Sequence, residues 1–89
     1  MSRSETIEHT LRAALAPESL AVIDESARHA GHVGARPEGE THFRIEIVSA
    51  TFQGLTRLER QRLIYGLLAG ELAAGLHAVS IQARAPGEA

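Results

Sequence analysis

Between Thr41 and Val48 the chain alternates: Phe43, Ile45 and Ile47 fall on one side, His42, Arg44 and Glu46 on the other. Successive side chains of a strand point to opposite faces, so this run predicts a strand with one apolar and one polar face. An apolar sheet face must be covered by a second layer, and the flanking segments supply it. From about Ser4 to Ala16, Ile7, Leu11 and Leu15 recur at intervals of four with Ala14 beside them, the stripe of an amphipathic helix. Ser2 and Glu5 have the spacing of a capping box, and Pro17 stops the helix. Thr56 and Glu59 repeat that spacing ahead of the main helix, where Ile64, Leu68 and Leu72 make a stripe widened by Leu63 and Leu67.

The connecting pieces complete the order. Leu20 to Glu25 is rich enough in branched residues to read as a short strand. Ser26 to Glu40 carries Gly31, Gly34, Pro37 and Gly39 and reads as a long loop, of the kind that is functional or disordered. Gly54 marks a turn, Gly75 ends the main helix, and Ala78 to Ala83 sets Val79 and Ile81 against Ser80 and Gln82 as a last strand. Gly66 and Gly70, inside the main helix at a cost of about 1 kcal/mol each relative to Ala, are expected to admit a closely packed neighbour. Residues 85–89 are expected to form a flexible tail. The first two strands can pair antiparallel across the loop, and the helical crossover brings the third in parallel. The expectation is a single α+β domain over residues 1–89, core about 4–84, of order α-β-β-α-β. It has a three-stranded mixed sheet with its helices on one face.

Composition narrows the function. Leu, Ile, Val and Phe make up 22 of 89 residues, above the roughly 20% below which disorder is favoured. Phe43, Phe52 and Tyr65 are the only aromatic residues, which leaves almost no stacking platform for single-stranded nucleic acid. Nine Arg and no Lys face one Asp and ten Glu, a net charge of -2, and that balance opposes strong non-specific binding to DNA or RNA. The absence of cysteine excludes disulfides, a Cys-based zinc finger, a thiol nucleophile and a cluster held by four thiolates of the chain's own. No apolar stretch approaches the roughly 18 residues of a membrane span. No apolar segment follows Met1–Glu5, so no signal peptide is read there, and a cytoplasmic location is expected.

Several strings, in order, resemble the BolA family: Asp24-Glu25-Ser26 before a His-bearing loop, Gly39-Glu40-Thr41-His42-Phe43, and Val48-Ser49-Ala50-Thr51-Phe52-Gln53-Gly54. Arg60-Gln61-Arg62-Leu63-Ile64-Tyr65, Gly70-Glu71-Leu72 and Gly75-Leu76-His77-Ala78-Val79 continue the resemblance, which runs from about Ile7 to Pro86. It implies a class II KH-like fold, in agreement with the element order. Two departures bear on function. The family usually has Arg-His-Arg where this chain has Gln61 between Arg60 and Arg62, so a role needing that imidazole cannot operate here. The Gly-x-x-Gly loop with which ordinary KH domains grip nucleic acid is missing, so RNA binding of that type is not supported.

The resemblance also implies a metal-ligand role for some of the five histidines. His77, between a helix-ending glycine and the last strand, matches the family's ligand to a 2Fe-2S cluster shared with a monothiol glutaredoxin. On its residues alone it reads first as a histidine hydrogen-bonding the end of its helix, and the resemblance makes the ligand reading the favoured one. The family's second ligand is a His or Cys in the loop; His29 matches that position better, with His32 as the alternative. His42 is assigned a structural hydrogen bond across the sheet, and His9 a solvated place on the first helix. A chain that offers two imidazoles at most needs two further ligands, which the resemblance supplies as a glutaredoxin cysteine and a glutathione thiol. The isolated protein is then a monomer without cofactor, not an enzyme, and cluster retention weakens as pH falls through the histidine range.

The main rival is a DNA-binding transcriptional regulator, with Arg57, Arg60 and Arg62 in the first turns of the main helix as a recognition surface. Against it stand the net charge and Glu59 among the arginines. A hydrolase built on Asp24, Ser26 and His29 lacks an evident oxyanion hole. Zinc on three histidines leaves the resemblance unexplained.

Overall fold

The alternating run is the middle strand of the sheet. The computed structural model describes residues 2–25 and 41–88. They form α1 (Arg3–Leu15), β1 (Ser19–Asp24), β2 (His42–Val48), a 3-10 turn (Ala50–Phe52), α2 (Arg57–Leu67), α3 (Ala69–Ala73) and β3 (Ala78–Arg84). The sheet order is β1-β2-β3. β2 lies antiparallel to β1, with Val22 opposite Ile45, and parallel to β3, with Ile45 opposite Ile81. This is the expected α+β arrangement.

Both helix starts are set by local chemistry. Glu5 N–H donates to Ser2 Oγ at 3.1 Å while Ser2 N–H donates to Glu5 Oε1 at 3.0 Å. At α2, Glu59 N–H donates to Thr56 Oγ1 at 3.1 Å and Thr56 N–H to Glu59 Oε1 at 2.8 Å. Each box satisfies donors that the first turn leaves unpaired. α1 ends where Ala16 turns left-handed, φ 43°, just before Pro17. Its stripe, Ile7, Leu11 and Leu15, is buried against Phe43, Ile45 and Ile47 of β2, and Ile64, Leu68, Phe52 and Leu76 close the same core.

Two expectations are corrected. The main helix is not continuous to Gly75: it breaks at Leu68 (φ -98°, ψ 10°), whose N–H is shared between the carbonyls of Ile64 and Tyr65. Gly66 and Gly70 flank the break, yet a Cβ at either would meet nothing within 4 Å. They admit no close neighbour; their effect is to weaken helical propensity on both sides of Leu68. Beyond β3 the chain turns back on itself. Ala85 is buried, its N–H donates to Glu88 Oε1 at 2.9 Å, and Glu88 N–H returns to Ala85 O at 3.1 Å. Gly87, at φ 87°, makes that reversal in a conformation strained for other residues.

Ser49 joins the layers at one end of the sheet. Its buried hydroxyl donates to Leu15 O at 2.6 Å and accepts from Thr51 N–H at 3.1 Å, while its own N–H donates to Arg84 O at 2.9 Å. The C-terminus of α1, the exit of β2 and the exit of β3 thus meet at one residue. Ser49→Ala removes the two hydroxyl bonds from a buried site, leaves the backbone bond to Arg84 O, and is expected to cost about 1–3 kcal/mol in urea denaturation. Ile45→Ala in the sheet centre should cost about 2–5 kcal/mol. A Ser49→Ala loss no larger than that of exposed His9→Ala would contradict the junction.

Candidate functional site

The opposite end of the sheet carries the histidine expected to bind metal. Gly75, at φ 120°, turns the chain out of α3, and Leu76 anchors in the core with its N–H on Glu71 O at 2.9 Å. His77 follows with its side chain exposed. Its backbone is fixed all the same: His77 N–H and Ala78 N–H both donate to Thr41 O, at 2.7 and 3.0 Å. Glu25 N–H donates to His42 O at 2.8 Å. The two residues that bracket segment 26–40, Glu25 and Thr41, are therefore hydrogen-bonded at the sheet end where His77 stands. His29 and His32, and Ser26 of the hydrolase reading, lie outside the described residues.

His42 carries more than its sequence position suggests. It lies on the polar side of β2 yet is only 8% exposed, and its Nδ1 shares a hydrogen bond of 2.9 Å with the buried Thr41 Oγ1. Its ring centroid is 5.1 Å from that of His77, with the planes inclined by 55°. The register explains the meeting, because His42 is opposite Ala78, the residue after His77. Sequence reasoning missed this pair; its one signal was a shared Thr-His and Leu-His approach to paired strands. Among the described residues no group of three or more His, Cys, Asp or Glu is arranged to hold a metal. His77 is the exposed imidazole at that end among the described residues. His9 is exposed on α1, as expected.

The three arginines of α2 do not act alike. Arg57 and Arg62 are exposed. Arg60 is consumed by the fold: Nε–H donates to Leu55 O at 3.0 Å and Nη1–H to Ala83 O at 3.0 Å. Its remaining fork holds Glu88 Oε1 and Oε2 at 2.6 and 2.8 Å, and the guanidinium lies 5.9 Å from the Phe52 ring centroid. A recognition helix would have to work through Arg57 and Arg62 alone. Elsewhere Arg3 ties α1 to α3 through Glu71 at 3.1 Å, and Arg44 pairs with Glu46 on the outer sheet face at 2.8 Å.

Comparison with known proteins agrees with this architecture. The model of the family described as BolA-like protein matches residues 11–88. An uncharacterised protein in the cobS 5′ region of Sinorhizobium sp is 51% identical over 99% of this chain and 96% of its own length. The SufE-like protein 1 of Arabidopsis thaliana, chloroplastic/mitochondrial, is 48% identical over 98% of this chain, which spans only 24% of it. The solved structure of the BolA domain of SufE1 from Arabidopsis thaliana superposes with a TM-score of 0.90 at 48% identity, covering 100% of this chain and 98% of that one. No helix among the described residues is long and apolar enough to cross a membrane.

The Arg60–Glu88 clamp has a pH signature. The Arg60 guanidinium first, and then the Ala85 N–H, hold the Glu88 carboxyl down from its ordinary 4.5 to about 2. A carboxylate depressed in the folded state stabilises fully above its unfolded value and loses that contribution as pH falls toward the folded one. Wild type and Glu88→Gln should therefore differ most above pH 4.5 and converge as pH approaches about 2. Urea midpoints from pH 2 to 7 check this. Parallel curves over that range would contradict it.

Proposed function

The chain belongs to the BolA-like family, and on that premise we propose that it pairs with a monothiol glutaredoxin to share a 2Fe-2S cluster. Its task is then cluster trafficking or the sensing of iron and redox state. One observation carries the reading. The exposed imidazole of His77 stands on a backbone pinned to Thr41 O, at the sheet end where the histidine-bearing segment 26–40 leaves β1 and enters β2. On this reading the partner meets His77 at that sheet end, and the second ligand is His29 or, as the alternative, His32.

The donor set fits such a group. A 2Fe-2S cluster takes four ligands, and a chain without cysteine cannot hold one alone. Two imidazoles leave two positions for a glutaredoxin cysteine and a glutathione thiol. Imidazole in place of thiolate on one iron raises the reduction potential of a bound cluster. The chain's own residues contribute placement: Gly75 turns His77 outward, Thr41 O fixes its backbone, and the His42 ring sets one wall beside it. Such a half-site suits a carrier that receives and releases. The rival reading, DNA binding through α2, has less support because the net charge of -2 opposes it and Glu59 stands among the arginines.

The test is a titration of the purified chain with a glutathione-bound, cluster-loaded monothiol glutaredoxin, followed by visible absorbance and circular dichroism. A new spectrum at one heterodimer per cluster is expected, lost on His77→Ala while the variant remains folded. His29→Ala and His32→Ala then choose the second ligand by which of them abolishes the same bands. A spectrum that remains that of glutaredoxin alone defeats the proposal.

A further inference from the structure

On the side of the fold away from His77 lies a cleft between the start of α2 and the end of β3, about 480 Å³ in volume. Small-molecule sites commonly span roughly 300–1,000 Å³. Its polar walls are Arg57, Arg60, Gln61, Gln82, Arg84 and Glu88. We propose that this cleft is a binding site for a small polyanion bearing phosphate or carboxylate groups, and that Glu88 occupies it as an internal stand-in.

The geometry around Arg60 is that of a built oxyanion receptor. Its side chain is only 12% exposed. The bonds from Nε to Leu55 O and from Nη1 to Ala83 O fix the guanidinium before any anion arrives. What remains of the fork grips both oxygens of Glu88, at 2.6 and 2.8 Å. Two parallel bonds from a planar guanidinium are the mode by which arginine selects carboxylate and phosphate. The carboxylate thus marks where a ligand's oxyanion would sit.

The surroundings hold more positive charge than Glu88 requires. Arg57 and Arg84 line the same cleft without hydrogen-bonding a carboxylate among the described residues, and Arg84 reaches Glu88 through its charge alone. A structural clamp needs one arginine; this cleft gathers three, with the amides of Gln61 and Gln82 as further donors. Unbalanced arginines around a concave site favour an anion with more charge than one carboxylate. The concavity and the chain's net charge of -2 favour a small molecule over a nucleic-acid backbone. Glu88 sits on a four-residue turn held by its own bonds to Ala85, so it can leave without disturbing Leu55 or Ala83. Gln61, standing where the family pattern has histidine, belongs to this cleft and not to the His77 end. The proposal is independent of the glutaredoxin reading.

Calorimetric titration of the full chain with pyrophosphate, and in a second arm with citrate, tests it. Saturable one-to-one binding to wild type is expected, with the amide resonances of Ala85 and Glu88 shifting as the turn is displaced. Glu88→Gln removes the internal competitor and should tighten binding about tenfold. The double variant Arg57→Gln, Arg84→Gln leaves every bond of Arg60 in place and should abolish binding with little change in Tm. Preference for pyrophosphate or citrate identifies the anion as phosphate or carboxylate. Absence of saturable binding by wild type and Glu88→Gln alike overturns the proposal, as does equal binding by the double variant. A duplex DNA that binds these arginines where neither small anion does also overturns it.

Discussion

A sheet of three strands covered on one face has one strand hydrogen-bonded along both edges, and here that strand is β2. Every other part of the molecule takes its position from it. Its apolar side, Phe43, Ile45 and Ile47, is the floor on which α1 and α2 meet. Its two ends then do different work. At the Ser49 end, one buried hydroxyl and one backbone N–H gather α1 and β3. At the Thr41 end, one carbonyl accepts from His77 and Ala78 together, and an exposed imidazole is left standing on a fixed backbone. Rigidity at one end and a presented ligand at the other follow from the same strand.

The arginines divide along similar lines. Arg60 spends four donors on holding Leu55, Ala83 and Glu88 and so fastens the chain after β3 to the start of α2. Arg3 fastens the other helix junction through Glu71 and the carbonyl of Ala74. Surface ion pairs contribute little by themselves, but a guanidinium that also satisfies backbone carbonyls removes unpaired acceptors and fixes where elements cross. In a chain without cysteine or lysine, this is how cross-links between distant segments are made.

What was legible in the sequence is what local chemistry decides. The alternation in β2 and the two capping boxes needed no tertiary information, and the strand order followed from the lengths of the connections. The features that local chemistry does not decide depend on partners far along the chain or on the space around a residue. Glu88 finds Arg60 at a separation of 28 residues, so the tail looked free. Gly66 and Gly70 suggested a packing contact, but only the three-dimensional surroundings reveal open space over both. His42 was placed on the correct side of β2, while its burial and its approach to His77 depend on the register with β3. The pattern of α2 does not say which of Arg57, Arg60 and Arg62 the fold consumes; the carbonyls of Leu55 and Ala83 and the carboxylate of Glu88 decide it.

The central claim is that an imidazole nitrogen of this chain, presented by the Thr41 end of β2, is a ligand in a shared cluster. Pulsed electron paramagnetic resonance of the reduced complex with glutaredoxin tests it most directly, using the chain labelled with nitrogen-15 in histidine only. The account predicts strongly coupled nitrogen signals that change isotope pattern with the label and disappear with His77→Ala. Cluster signals indifferent to the label would contradict it, because every ligand would then come from the partner and glutathione.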